Sequence, residues 1–269
     1  MALKCGFIGC GNMGGALATA VSSVNMDIAL YLSDADTQKA ATLANTLQGE
    51  VTNTQWLVEN CDVIFLGVKP QGMANLFQSI ANTLQARESK PILISMAAGV
   101  SLSTIEQLAG VTLPIVRIMP NTPVKLGMGM IEVSSNHEVT QDQLQLVLDL
   151  LAKAGKLDVI PESLIDAASA IAGSGPAFIY LFAELLAKGA EECGIPFEKG
   201  VEYAAQTLLG SAAMILKGEN TPEELRIAVC SPGGSTLAGL TALETNEFET
   251  AVQQAVIRAY QRSQELGKI

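Results

Sequence analysis

Two short stretches of this chain carry glycines at spacings that suit the binding of anionic ligands. The first is the 8–14 turn, in which Gly9, Gly11 and Gly14 form the pattern G-x-G-x-x-G. The first glycine of such a pattern permits a tight bend, the second lets a pyrophosphate approach the backbone, and the third lets helix and strand pack closely. The pattern predicts dinucleotide binding, with an ordinary glycine-rich turn as the alternative.

The residues around the 8–14 turn predict a strand before it and a helix after it. Residues 3–8 are a short apolar run, and residues 15–21 are rich in alanine and poor in helix breakers. A helix that starts here would present free N–H groups and the positive end of its dipole to the phosphates. This context favours dinucleotide binding over the ordinary turn.

The end of the next predicted strand bears on which nicotinamide cofactor is bound. An acidic residue about 20 positions beyond the glycines usually bonds the ribose 2′-OH and favours NAD. Asp34 lies near that point, but Ser33 before it could bond a 2′-phosphate, and no arginine is close by in the sequence. These residues alone leave the choice of cofactor open.

The second stretch is the 230–236 turn, Cys-Ser-Pro-Gly-Gly-Ser-Thr, which opens a predicted helix at 237–244. Two glycines and then two hydroxyl residues at a helix start provide N–H groups that could bind a carboxylate. The alternative is an ordinary capped loop, because Ser and Thr are common at helix starts.

Alternating strand and helix signals predict the element order around the 8–14 turn. Near-continuous apolar strands that alternate with helices indicate a parallel sheet covered on both faces. Ser103, with Glu106 three residues later, predicts a capping box. Residues 1–160 are therefore predicted to form a Rossmann-type α/β domain. The predicted strands include 27–32, 62–68, 91–95, 114–118 and 129–133, and the predicted helices include 38–47, 72–84 and 141–153.

Strand signals stop after residue 160, and residues 161–269 are predicted to form an all-helical domain. The helix after Gly173-Ser-Gly-Pro176 is apolar nearly all round, which predicts that it is buried inside an oligomer. Thr221-Pro-Glu-Glu combines an N-cap, a proline at the first helical position and a capping glutamate.

The composition excludes several classes of partner. The 269 residues are 49% hydrophobic with a formal net charge of −11, which predicts a well-buried globular protein without a nucleic-acid partner. The N-terminus is not typical of a signal peptide, and the apolar segment 177–183 is shorter than a membrane span of about 20 residues.

The cysteines and the single histidine give two further expectations. Five scattered cysteines without a C-x-x-C pair predict reduced thiols in a cytoplasmic protein. His137 lies in a polar run that predicts a surface loop, and without a second histidine no metal site is expected.

Segments along the whole chain, in order, resemble the pyrroline-5-carboxylate reductases. The resemblance implies reduction of the C=N bond of 1-pyrroline-5-carboxylate to L-proline, with NADPH usually preferred and NADH as the other option. It also implies a homodimer formed by the C-terminal domain, which can assemble into a larger ring such as a pentamer of dimers. The matching segments are 6–13, 68–70, 97–100, 119–123, 173–178 and 230–233.

The resemblance also assigns site residues. The substrate would contact Glu219, the backbone at Ala228, Ser235 and Thr236, and the Thr236 hydroxyl would face the ring nitrogen as the catalytic group. Glu219 could favour the cationic substrate or be an exposed helix-end charge, and Lys69 could bind cofactor or extend over the surface. The cofactor residues implied are Ile8, Gly9, Cys10, Gly11, Asn12, Met13, Ser33, Asn53, Val68, Lys69, Ala97 and Asn121.

The chain departs from the family pattern at two places, and two other functions are compatible with parts of the sequence. Arg226-Ile227 replaces the Lys-Asp that relatives often carry, and Ala228 offers no side-chain hydrogen bond to substrate. A β-hydroxyacid dehydrogenase would need a lysine base after residue 173, but Lys188 comes too late in that helix. A non-catalytic nucleotide-binding protein would have no reason to keep the 230–236 turn.

Overall fold

The computed structural model describes residues 2–266 and groups the chain into two compact units. Of the described residues, one unit holds 2–173 together with 259–266, and the other is Ser174–Arg258. The helix Glu162–Ala172, which follows the predicted domain boundary at residue 160, packs on the sheet of the first unit.

The first unit is built on a single sheet of eight strands among the described residues. The strand order is β3-β2-β1-β4-β5-β6-β7-β8, so β1 lies between β2 and β4. The strands are β1 (Leu3–Ile8), β2 (Ile28–Ser33), β3 (Glu50–Val51), β4 (Val63–Leu66), β5 (Ile92–Ser95), β6 (Ile115–Pro120), β7 (Gly129–Ser135) and β8 (Gly155–Val159).

Apolar side chains on both faces of the sheet explain why these strands lack a polar alternation. The rings of Phe7 and Phe65 stack at 4.3 Å in the core on one face, whereas Ile64 and Leu93 belong to the core on the other. β4 and β5 are buried along their whole length. Burial on both faces is the expected consequence of helices that cover a parallel sheet on each side.

The sheet departs from the predicted parallel arrangement at β7. β3, β2, β1, β4, β5 and β6 are parallel, but β7 runs antiparallel to β6, with Ile118 opposite Val133. A short 3-10 helix, Thr122–Leu126, joins the two strands. Antiparallel strands can be joined by such a short connection, whereas a parallel pair needs a crossover of a dozen or more residues.

The helices of the first unit follow the predicted order and are closed by local caps. Thr140 and Gln143 form a reciprocal capping box, but the box predicted from Ser103 and Glu106 is wrong. Ser101 is the N-cap there, because its hydroxyl accepts from the Thr104 N–H at 3.1 Å. Glu106 instead accepts a hydrogen bond from Asn136 Nδ2 at 2.8 Å. The helices are α1 (Asn12–Ser22), α2 (Thr37–Leu47), α3 (Thr54–Asn60), α4 (Pro70–Ala86), α5 (Leu102–Ala109), α6 (Gln141–Leu151) and α7 (Glu162–Ala172).

The described residues that follow α7 are helical, as predicted. Thr221 and Glu224 form the predicted capping box at the start of one of these helices. Many apolar side chains are exposed in the single chain, including Tyr180, Leu181 and Leu185. The helices are α8 (Gly175–Glu192), α9 (Phe197–Lys217), α10 (Pro222–Ala228), α11 (Ser235–Thr245) and α12 (Phe248–Leu266).

One stretch of the described chain, Glu162–Glu192, is long and apolar enough to cross a membrane by length and composition alone. It is longer than the apolar segment 177–183 considered in the sequence, because the apolar pattern continues from α7 into α8. An apolar helix that a partner protein covers has the same composition, so this property by itself is weak evidence of a membrane span.

Candidate functional site

The 8–14 turn joins β1 to α1 through a glycine that no other residue could replace. Gly9 has φ = +100°, and a Cβ atom at this position would lie 2.5 Å from the Gly67 carbonyl oxygen. The Gly9 N–H donates to the Ser33 carbonyl at 2.8 Å, so the turn is fixed to the end of β2 as well. The tight bend predicted for the first glycine is present.

The other two glycines of the 8–14 turn have different surroundings. A Cβ on Gly14 would lie 2.1 Å from the Gly9 carbonyl oxygen, so glycine allows α1 to start this close to β1. A Cβ on Gly11 would meet no atom within 4 Å, and Gly11 is the N-cap of α1 without a side chain to fill the cap. Open space at a helix N-terminus fits a pyrophosphate that approaches the backbone, as the sequence predicts.

Gly67 contributes to this turn and was missed in the sequence. It follows β4, its N–H donates to the Ile8 carbonyl at 2.7 Å, and a Cβ on it would lie 2.6 Å from the Gly9 carbonyl oxygen. The two backbones therefore pass each other at a distance that excludes side chains. The available signal was a glycine at the end of a buried apolar run, which often marks close backbone approach.

The structure brings the predicted cofactor residues to one edge of the sheet. Because β1 to β6 are parallel, their carboxyl ends share an edge, which is where ligands bind in open α/β sheets. Ile8 to Met13 follow β1, Ser33 ends β2, Asn53 caps α3, Val68 and Lys69 follow β4, Ala97 follows β5 and Asn121 follows β6.

Asp34 is held against the 8–14 turn by backbone hydrogen bonds. Its Oδ2 accepts from the Cys10 N–H at 2.6 Å, and its Oδ1 accepts from the Asp36 N–H at 2.8 Å. Ser33, which is buried, has its hydroxyl 3.1 Å from that of Thr54. Burial and then the Asp34 charge raise the pKa of the Cys10 thiol to about 11, so Cys10 is a neutral part of the turn.

Asn121 uses its amide to fasten α7 to the sheet. Its Nδ2 donates to the Ala172 carbonyl at 2.9 Å, and its Oδ1 accepts from the Met130 N–H at 3.0 Å. Both polar groups of the Asn121 side chain are therefore used in structural hydrogen bonds. Only the backbone of Asn121 is available to the cofactor at this edge of the sheet. Arg117 anchors the other end of α7 through Glu162 at 3.0 Å and Asp166 at 3.1 Å.

The 230–236 turn has the open helix start that the sequence predicts. Gly233 has φ = +69°, and Gly234 is the N-cap of α11 without a side-chain cap. Ser235 and Thr236 are the first two residues of α11, and both are exposed in the single chain. The first N–H groups of a helix lack helical partners, so this start can bind an anion.

The other predicted substrate residues lie before α10 and at its end. Glu219 follows α9 and forms an exposed ion pair with Lys217 at 3.0 Å, and Ala228 is the last residue of α10. Among the described residues, no hydrogen bond or ion pair joins Glu219 to Thr236, so the role of Glu219 in substrate binding stays a prediction. An exposed pair of this kind contributes about 1 kcal/mol or less to stability.

The single histidine is placed as the sequence predicts. His137 is on the surface, where it pairs with Glu138 at 2.9 Å. Within residues 2–266, no group of three or more His, Cys, Asp or Glu side chains is arranged to hold a metal ion.

Comparisons with protein families match both halves of the chain. Residues 162–266 match the family described as pyrroline-5-carboxylate reductase dimerisation. Residues 4–99 match the family described as NADP oxidoreductase coenzyme F420-dependent, which covers the 8–14 turn.

Individual relatives match nearly the whole length. The chain is 34% identical to a pyrroline-5-carboxylate reductase of Escherichia coli over 100% of both chains. The structure of the Streptococcus pyogenes enzyme is 33% identical, with a TM-score of 0.86 over 98% of this chain and 99% of that one. The Plasmodium falciparum enzyme, solved with NADP bound, is 32% identical, with a TM-score of 0.85 over 98% of each chain. These matches confirm the resemblance and the fold class predicted from the sequence, and the chain belongs to the pyrroline-5-carboxylate reductase family.

Proposed function

We propose that this protein reduces the cyclic imine 1-pyrroline-5-carboxylate to L-proline with NAD(P)H, as an oxidoreductase of proline biosynthesis. The observation that carries the proposal is the 34% identity to the Escherichia coli enzyme over the full length of both chains. A dinucleotide fits the 8–14 turn, since the Gly11 Cβ position is open and no side chain caps α1. Fold alone would not fix the reaction.

We propose that the cofactor binds along the carboxyl edge of the sheet through the residues assigned in the sequence. The N–H groups at the start of α1, in Asn12 and Met13, would bind the pyrophosphate. Ser33 and Asn53 would lie near the adenosine end, because Ser33 ends β2 and Asn53 comes two residues after β3. Val68, Lys69, Ala97 and the Asn121 backbone would line the rest, because they follow β4, β5 and β6 in sheet order.

Bound NAD(P)H supplies the hydride, and the protein supplies position and electrostatics. The substrate nitrogen is basic, so the imine can bind already protonated and needs no strong acid from the protein. The hydride would add to the carbon of the protonated C=N bond and leave NAD(P)⁺, and the π electron pair would become the lone pair of the amine nitrogen. The rate gain then comes mainly from orientation and from groups placed around the developing charge.

The substrate assignments follow from the helix start of α11. The N–H groups of Ser235 and Thr236 would bind the substrate carboxylate, since helix N-termini attract anions. The Thr236 hydroxyl would face the ring nitrogen, and the Glu219 carboxylate would favour its cationic form. Ala228 would contribute backbone contacts only, and Arg226-Ile227 cannot make the ion pair of relatives with Lys-Asp there.

The family match supports a homo-oligomer. We propose that it is a dimer formed through residues 161–269. Residues 1–160 would then form the dinucleotide-binding domain. The exposed apolar side chains of α8 and α9, such as Leu185 and Leu209, would be buried between copies instead of in a membrane. Assembly into a pentamer of dimers and a cytoplasmic location are part of the same proposal. The five cysteines are free in the structure, and free thiols are typical of proteins in a reducing compartment.

The deciding experiment measures the oxidation of NADPH or NADH after 1-pyrroline-5-carboxylate is added. A parallel assay measures the reduction of NAD or NADP by a panel of 3-hydroxy acids. We expect imine reduction and no oxidation of hydroxy acids. The reverse result would favour a β-hydroxyacid dehydrogenase, and cofactor binding without either reaction would favour a non-catalytic nucleotide-binding protein.

A further inference from the structure

The Asp34 carboxylate occupies a fixed position beside the 8–14 turn. Both oxygens accept backbone hydrogen bonds, Oδ2 from Cys10 at 2.6 Å and Oδ1 from Asp36 at 2.8 Å. Asp34 directly follows β2, and the carboxyl end of β2 adjoins that of β1. In dinucleotide-binding domains this corner lies next to the ribose of the adenosine.

The residues near the carboxyl end of β2 offer little positive charge that could neutralise a phosphate bound there. Segment 33–54 contains Asp34, Asp36 and Glu50, and its one cationic residue is Lys39. The Lys39 ammonium lies 3.5 Å from the Asp36 carboxylate. Lys69 follows β4, and β1 separates β4 from β2 in the sheet.

The two cofactors differ at this corner by one group. NADH has a ribose 2′-OH, which can donate a hydrogen bond to a carboxylate. NADPH has a 2′-phosphate there, and a phosphate monoester carries about −1.5 to −2 charges at pH 7. A carboxylate that accepts from the hydroxyl repels the phosphate.

We infer that Asp34 is a specificity-determining residue that disfavours NADPH relative to NADH. The inference rests on the proposed function for the identity of the cofactors. The hydroxyl that could compensate, on Ser33, is buried and lies 3.1 Å from the Thr54 hydroxyl. The backbone hydrogen bonds keep the charge of Asp34 from turning away when a phosphate approaches.

The test measures the dissociation constants of NADPH and NADH without substrate, by nicotinamide fluorescence, for the wild type, Asp34→Asn and Asp36→Asn. The amide in Asp34→Asn would keep an acceptor for the Cys10 N–H but lose the charge. We expect Asp34→Asn to lower the ratio Kd(NADPH)/Kd(NADH) about tenfold, from lost charge repulsion at close range. Asp36→Asn removes the same charge two residues away and keeps a good N-cap for α2, so the ratio should change less than about twofold.

An unchanged ratio in Asp34→Asn, or an equal change in Asp36→Asn, would overturn the inference. Salt provides a second test on the wild type in case the variant does not fold. Salt screens the repulsion between Asp34 and the 2′-phosphate, so the ratio Kd(NADPH)/Kd(NADH) should fall as NaCl rises. If Lys or Arg side chains bound the phosphate instead, the same ratio would rise with NaCl. Because binding is measured without the imine, absence of imine reduction would refute the proposed function and leave this test intact.

Discussion

The 8–14 turn and the 230–236 turn are both rich in glycine, but they differ in the reason that glycine is needed. In the 8–14 turn, Gly9 and Gly14 are required by backbone atoms 2.5 Å and 2.1 Å from their Cβ positions. In the 230–236 turn, a Cβ on Gly233 would meet no atom within 4 Å, and the glycine is favoured by its φ of +69°. One turn is fixed by the surrounding fold, and the other by local backbone conformation.

The difference indicates how complete each site is within a single chain. The 8–14 turn is bounded by β2 and by Gly67, so its shape is set before any ligand arrives. The 230–236 turn is exposed in the single chain, with Ser235 and Thr236 open to solvent. We therefore expect substitutions at Gly9 or Gly14 to affect folding and cofactor binding together, and substitutions in the 230–236 turn to affect the reaction but not cofactor binding.

The largest effect is expected for Gly14→Ala. The added methyl would clash with the Gly9 carbonyl, so α1 must move, at a stability loss of about 1–3 kcal/mol, with loss of NADPH binding. Gly11→Ala is the matched control, because its Cβ position is open. It should lower stability by about 1 kcal/mol at most yet weaken NADPH binding where the pyrophosphate approaches. Thermal melts measure the stability of the two variants, and fluorescence titration measures their NADPH affinity. A Gly14→Ala protein that melts and binds like the wild type would remove the distinction.

Thr236→Ala should lower kcat about 100-fold, the usual effect of losing one group that contacts the reacting atoms. NADPH affinity should stay within about twofold, because the 8–14 turn is untouched. Thr241→Ala, later in α11, is the control and should leave kcat unchanged. Steady-state kinetics and NADPH titration test this, and an equal loss of cofactor affinity in Thr236→Ala would move Thr236 out of the substrate role.

The cysteine next to each turn offers a chemical comparison. Cys10 is buried and its pKa is raised to about 11, so less thiolate is present at pH 8 than for an ordinary thiol. Cys230 is partly exposed. Because the thiolate is the nucleophile, iodoacetamide should modify Cys230 more than about tenfold faster than Cys10. Peptide mass spectrometry over time measures both rates, and exposed Cys193 is an internal control. Similar rates for Cys10 and Cys193 would contradict the buried 8–14 turn.

The smallest effect is expected for Gly233→Ala. A residue with a Cβ in the left-handed region costs about 1–2 kcal/mol, so the 230–236 turn should distort slightly and KM for the imine should rise about fivefold. Gly239→Ala lies inside α11 with open space at its Cβ position, and should stabilise the helix by about 1 kcal/mol. Unchanged KM in Gly233→Ala, with NADPH binding lost instead, would reverse the roles of the two turns.

The sequence by itself determined the features that rest on local chemistry. The spacing of Gly9, Gly11 and Gly14 indicated the strand–turn–helix, and the apolar runs indicated the strands at the centre of the sheet. The capping box at Thr221 was predictable because its hydrogen bonds join residues three apart in the chain. The family resemblance was likewise carried by contiguous segments.

Only the tertiary structure decided the features that join distant residues. Gly67 lies beside Gly9, and the Asp34 carboxylate binds the Cys10 N–H from 24 residues away. Glu106 bonds Asn136 instead of completing a capping box with Ser103. Propensity and spacing describe neighbours along the chain, but these contacts depend on which strands become adjacent, and that is decided when the two faces of the sheet are buried.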